Sequence, residues 1–224
     1  MLPEAGVVLD AGTGFFRVQQ QVETEELDVF LTHAHLDHIV GVSFFIVPVI
    51  RGDVKTVRVH GTSATIAACR EHLLANKLFP VEPPYQWCEL QDGAGIPLAD
   101  DGSLTWTTLK HPGGAVGYRL DWQERSMAYI TDTTAPGNYL DFIHGVDVLI
   151  HECNFPDEMS EWAVKTGHSW ASAVAQVAVK ADVGRLLLVH TDPQTCVDDP
   201  VGLDGMRKVF PHVDLAEDLQ EIEF

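Results

Sequence analysis

Four apolar, strand-like runs in this chain end on side chains that can bind a metal. "VFLTHAH" ends at His33 and His35, "TTLKH" at His111, "AYITD" at Asp132 and "LLLVH" at His190. Backbone pairing makes strands rigid, so side chains at the ends of neighbouring strands can converge on one sheet edge already positioned. Further runs, "GVVLD", "TVRVHG", "VGYRLDW" and "VDVLIHE", are short, apolar and close to turn residues, as strands are. Two segments read as helices instead. "TSATIAACREHLLANKL" puts Ile66, Cys69 and Leu73 on one face, and "SWASAVAQVAVKAD" spaces Val174, Val177, Ala178 and Ala181 at helical intervals. Ser169 is expected to cap the second helix, with Gly184 just past its end. Many strands with few helices predict a sheet-based α/β core.

The 224 residues suit one domain spanning 1–224. The longest irregular stretch, residues 78–103, is rich in Pro, Gly and Asp and is expected to carry one short strand. Apolar strands resume directly after it, so no domain boundary is read there. No apolar run reaches the roughly 18–20 residues that cross a bilayer. The N-terminus lacks the basic and apolar regions of a secretion signal. Cys69, Cys88, Cys153 and Cys196 form no C-x-x-C pair and read as reduced thiols, so a cytoplasmic location is expected. A net charge of −19 repels phosphate backbones and anionic membranes at long range. Long nucleic acids and membranes are therefore disfavoured as partners, and a small-molecule substrate is expected.

The densest signal is "FLTHAHLDHIVG", residues 30–41, with the pattern H-x-H-x-D-H at His33, His35, Asp37 and His38. In extended chain, residues i and i+2 point the same way, so His33 and His35 can share one ion. A turn then carries Asp37 and His38 to a second. Burying four titratable groups between apolar flanks is costly without a ligand. Imidazole and carboxylate donors suit zinc, and also manganese or iron. Taken singly, His111, Asp132 or His190 reads as an ordinary strand-end or turn residue; the cluster gives them weight as ligands. His60, His72, His144 and His212 read as surface or edge residues, His151 as a strand residue, and Cys153 as a buried thiol. The five tryptophans are scattered and read as core packing.

The chain resembles the metallo-β-lactamase superfamily. The matching stretches are "LDAGTG", "THAHLDH", "HPGGAVGYRL", "TDT" and "LLLVHTDP", in the family's order. The resemblance implies a four-layer αββα fold and two metal ions. One would be held by His33, His35 and His111, the other by Asp37, His38 and His190, with Asp132 bridging both. Asp10, in "LDAGTG", would support a ligand from behind, and the glycines beside it read as a tight turn. "HECNF" and "GHSW" are similar to stretches in the tRNA 3′-processing endonucleases (ribonuclease Z) and their phosphodiesterase relatives. That likeness implies His168 as proton donor to the leaving group and Glu152 as the carboxylate orienting it; in the mechanism expected here Asp37 is a catalytic residue that orients the nucleophile as well as a ligand.

Two departures bear on function. Relatives begin with a strand pair ahead of "LDAGTG", which this chain is expected to lack, leaving its first sheet without an edge and a homodimer open. The processing endonucleases also carry a basic arm that grips tRNA, and residues 46–110 show none. The reading is a dinuclear metal-dependent hydrolase, with zinc as the expected ion and manganese or iron also suited. It would cleave a small cyclic or linear nucleotide-type diester through a metal-bridging hydroxide. The alternatives are a tRNA 3′-endonuclease, a thioester or lactone hydrolase on the same metals, and a metal-binding protein without turnover.

Overall fold

The computed structural model describes residues 1–195 and 197–224; the thiol expected at Cys196 lies outside them. The chain forms two compact units, Met1–Ala94 and Gly95–Phe224, and the division falls inside the irregular stretch 78–103.

The first unit is built on a four-stranded parallel sheet. Its strands are β1 (Val7–Leu9), β2 (Glu26–Phe30), β3 (Thr56–Gly61) and β4 (Gln86–Glu89), in that order. Parallel neighbours need long crossovers, and these carry the helical segments, Ser63–Ala68 among them. Alternation decides the faces: Leu27, Val29, Val57 and Val59 join Val8, Phe15, Ile39 and Phe45 in one buried cluster. β1 lies at the sheet edge, and Leu2 adds a lone antiparallel bridge to Val7.

The second unit has a seven-stranded sheet in the order β11-β10-β9-β8-β7-β6-β5. Its strands are β5 (Ile96–Pro97), β6 (Ser103–Leu109), β7 (Ala115–Asp121), β8 (Ser126–Ile130), β9 (Val148–Glu152), β10 (Arg185–Val189) and β11 (Val213–Leu215). β6 and β8 are each antiparallel to β7, while β9 and β10 run parallel to β8. So β6, β8, β9 and β10 all point the same way, and their carboxyl ends share one edge. The helix Ala171–Lys180 makes the β9-to-β10 crossover and buries Ala171, Ala173, Val174, Ala175, Val177 and Ala178. Its small side chains allow close approach to Leu149, Leu186 and Leu188 in the same core cluster.

All eight apolar runs are strands. The irregular stretch carries two short ones, β4 and β5, where one was expected. Ser169 does not cap its helix: Trp170 occupies the N-cap position without a side-chain bond, and Asp157 Oδ1 accepts the Ser172 N–H instead (2.7 Å). Trp162 is not core; it is exposed, with Lys165 over its ring. No helix among the described residues is long and apolar enough to cross a membrane.

Candidate metal centre

In the first unit the candidate residues follow the carboxyl ends of β1 and β2, the edge at which open α/β sheets place ligands. Asp10, just past β1, holds a left-handed backbone (φ 60°). A non-glycine residue keeps that conformation when its surroundings over-determine it. Here they do: the Asp10 carboxylate accepts Thr32 N–H (2.7 Å), Thr32 Oγ1–H (2.9 Å) and His38 Nδ1–H (2.8 Å). Thr32 has one hydroxyl proton, and Asp10 takes it. Thr32 Oγ1 therefore accepts from His33 Nδ1–H at 3.1 Å. One carboxylate thus sets two tautomers, and both His33 and His38 leave Nε2 as the nitrogen a metal could take.

The imidazoles gather accordingly. Ring centroids lie 4.5 Å apart for His33 and His35 and 4.2 Å for His33 and His38. His38 Nε2 is 3.3 Å from Asp37 Oδ2. Two ligands on bonds of ~2.0–2.1 Å around a tetrahedral ion lie ~3.3 Å apart, so this pair fits a shared cation. The glycines of "LDAGTG" serve close approach rather than a tight turn. A Cβ on Gly12 would strike the Asp37 carbonyl oxygen, and one on Gly41 would strike Phe15 and the Gly12 carbonyl. Backbone bonds from Ala11 to His38 O (2.8 Å) and from Gly41 to Ala11 O (2.7 Å) lock the two segments.

In the second unit, His111, Asp132, Glu152 and His190 sit at or just beyond the ends of β6, β8, β9 and β10. Asp132 and His190 again hold left-handed backbones (φ 44° and 54°). Asp132 is buried, and its two oxygens face different imidazoles: Oδ2 lies 3.7 Å from His111 Nε2 and Oδ1 lies 3.4 Å from His190 Nε2. Both separations exceed a good hydrogen bond and suit a carboxylate that reaches one ion through each oxygen. His111 donates Nδ1–H to the Gly167 carbonyl (3.0 Å), which turns its Nε2 toward Asp132. Asn154 Nδ2 donates to the His190 carbonyl (3.0 Å) and lies 3.2 Å from its Nδ1.

His168 stands among these groups. Its ring is stacked on His190 (5.4 Å between centroids) and lies 5.3 Å from His111. Its Nδ1 is 3.2 Å from Glu152 Oε1, so Nε2 is the nitrogen it offers the site. Donor atoms of Asp132, His168 and His190 all lie within 4.8 Å of one another. Glu152 is fully buried and accepts backbone N–H groups from Thr133 (2.9 Å), Asn154 and Ser169 (3.2 Å each). Burial pushes its carboxyl up, while His168 and the Thr133 and Ser169 amides pull the other way. In each unit the donor set of imidazoles and carboxylate fits a divalent ion of the zinc, manganese or iron kind.

Sequence reasoning missed Thr32, Thr133, Asn154 and the role of Ser169, all of which touch or orient candidate residues. Thr32 beside His33 was the one local hint. It also misplaced one histidine, His60, while His151 is the strand residue it was read as, in β9. His60 is buried, stacked on Phe30 (4.4 Å) and 2.7 Å from Asp28 Oδ1. His151 is fully buried, donating Nδ1–H to the Glu152 carbonyl (2.6 Å) and accepting from the Tyr139 hydroxyl (2.7 Å).

Residues 6–191 match the profile of the Beta-lactamase superfamily domain. The ribonuclease Z of Gemmatimonas aurantiaca is 27% identical over 274 residues, covering 97% of this chain and 86% of that protein. Other ribonucleases Z align over 32% of their own length and 44% of this chain. Among solved structures, the metallo-beta-lactamase fold protein YhfI from Bacillus subtilis superimposes with a TM-score of 0.77 at 22% identity, covering 94% of this chain and 84% of that one. A diphosphatase from the PhnP family gives 0.71 at 19% identity, covering 97% and 79%.

Proposed function

The chain belongs to the metallo-β-lactamase superfamily, and from that premise we propose that this hydrolase is a dinuclear phosphodiesterase acting on a small nucleotide-type diester. The observation that carries the reading is the buried Asp132 carboxylate with one imidazole Nε2 facing each oxygen. His33, His35, Asp37 and His38 of the first unit and His111, Asp132 and His190 of the second would be the metal ligands, with zinc the expected metal. A metal pair, when bound, supplies Lewis acidity and lowers the pKa of a coordinated water.

The chain's own residues supply the rest. Asp10 and Thr32 hold His33 and His38 in the ligating tautomer. The exposed Asp37 carboxylate orients the attacking water. Glu152, held by three backbone N–H groups, fixes the His168 ring through Nδ1 and leaves Nε2 facing the site. His168 then gives its Nε2 proton to the departing oxygen, a step that contributes ~10²–10⁴-fold in typical acid catalysis.

The test is turnover of a 2′,3′-cyclic nucleotide and of bis(4-nitrophenyl) phosphate by protein loaded with zinc or manganese. Phosphodiester turnover is expected. A loaded protein that leaves both intact but cleaves a thioester or lactone overturns the proposal. A second reading, a ribonuclease Z-like tRNA 3′-endonuclease, draws on the likeness to the Gemmatimonas aurantiaca protein. The net charge of −19 opposes it, and a precursor-tRNA cleavage assay in the same experiment decides.

A further inference from the structure

Ser169 is fully buried, and every polar group it has is engaged. Its hydroxyl donates to the Thr133 carbonyl (2.6 Å) and accepts the Ala135 N–H (3.0 Å). Its backbone N–H goes to Glu152 Oε2 (3.2 Å), and its carbonyl accepts the Phe155 N–H (3.3 Å). Thr133 in turn donates its N–H to Glu152 Oε1 (2.9 Å). Thr133, Ser169 and Glu152 therefore close a ring of three hydrogen bonds. Asp132 precedes one member of that ring and His168 precedes another. The hydroxyl has no part in starting the helix Ala171–Lys180, which opens without a side-chain cap. Nor is it placed to attack a substrate, since it is buried and already hydrogen-bonded in both directions.

We infer that Ser169 is a positioning residue: its hydroxyl holds the Glu152–His168 pair in register with the Asp132 loop, so that the His168 proton meets the leaving oxygen. The inference rests on the phosphodiesterase reading above. Three loops leave the ends of β8 and β9 and the turn before the helix, and the Ser169 hydroxyl is the side-chain link from the last to the first. Without it, the Thr133 and Ser169 N–H groups still meet Glu152, but the direct tie from the segment carrying His168 to the Asp132 loop is gone and the two can shift against each other. A misplacement of about 1 Å costs on the order of 10²-fold in a step that depends on orientation.

The test uses metal-loaded protein and two diesters of the same nucleotide. In one the leaving group is 4-nitrophenolate, which departs without a proton. In the other it is an alkoxide, which needs one. His168→Ala is expected to lose far more activity on the alkoxide ester than on the 4-nitrophenyl ester. Ser169→Ala is expected to lower kcat on that ester by about 10–100-fold, with KM and bound metal unchanged and 4-nitrophenyl turnover within about threefold. Ser169→Cys, close in shape with weaker hydrogen bonds, should fall between, and it carries the test if Ser169→Ala does not fold. Equal losses on both esters, or none, while His168→Ala keeps its selective defect, overturn the inference alone. A His168→Ala variant without that selectivity removes the acid reading, and the inference with it.

Discussion

Replacing Asp10 with Asn changes one atom, and the first unit makes its consequence specific. The wild-type carboxylate accepts from Thr32 N–H, Thr32 Oγ1 and His38 Nδ1. An amide keeps one oxygen for the Thr32 N–H and turns its NH₂ toward His38 Nδ1. That nitrogen must then accept, so the proton of neutral His38 moves to Nε2, the atom a metal needs bare. Loss of a partner behind a ligating histidine typically weakens metal binding by ~10–100-fold, or about 1.4–2.8 kcal/mol. That range agrees with a single hydrogen bond to a charged group, ~1.5–3 kcal/mol. Asn tolerates the left-handed backbone at this position, so the thermal midpoint of metal-free protein should change little. The assay is zinc titration of metal-free wild type and Asp10→Asn against a chromophoric chelator, resolved into its binding steps. The step that uses His38 should weaken. Unchanged affinities in a folded variant would refute the tautomer argument.

His151 supplies a pH dependence: burial pushes its imidazole down to about 4, against 6.5 when unfolded. The unfolded chain takes up this proton first, so the contribution is complete above pH ~6.5 and is lost as pH falls toward ~4, up to ~3 kcal/mol. Denaturant titrations between pH ~7 and ~4.5 should show a shallower slope for His151→Gln than for wild type, and parallel slopes would contradict this. Tyr139→Phe leaves the buried His151 Nε2 without its 2.7 Å donor, and should destabilise the protein by ~1–3 kcal/mol in the same titration at neutral pH. Gly12→Ala drives a methyl into the Asp37 carbonyl; a cost of ~1–3 kcal/mol is expected, together with weaker zinc binding in the chelator assay. Gly167→Ala combines a strained φ of +83° with a clash against Pro112, beside the carbonyl that orients His111. Zinc affinity should fall there too, and a wild-type titration curve would count against that orienting role.

Local order determined much of this protein. Eight strands were legible because each is a continuous apolar run; of β4 and β5 only one was expected, and β11 was not, because these are short segments with no such run to mark them. The H-x-H-x-D-H cluster and the strand-end candidates were legible as candidates for the same reason: the signal lies in spacing of a few residues and in what precedes them. What only the tertiary structure decided is which groups hold the candidates in place. Asp10 reaches Thr32 across 22 positions and His38 across 28, and Ser169 reaches Thr133 across 36. No periodicity records such bonds. They exist because several strands of each sheet end on a common edge, and that edge depends on strand order and direction, which long-range pairing sets. His60 and His151 show the same limit, since a histidine reads as polar until folding supplies Asp28 or Tyr139 to pay for its burial.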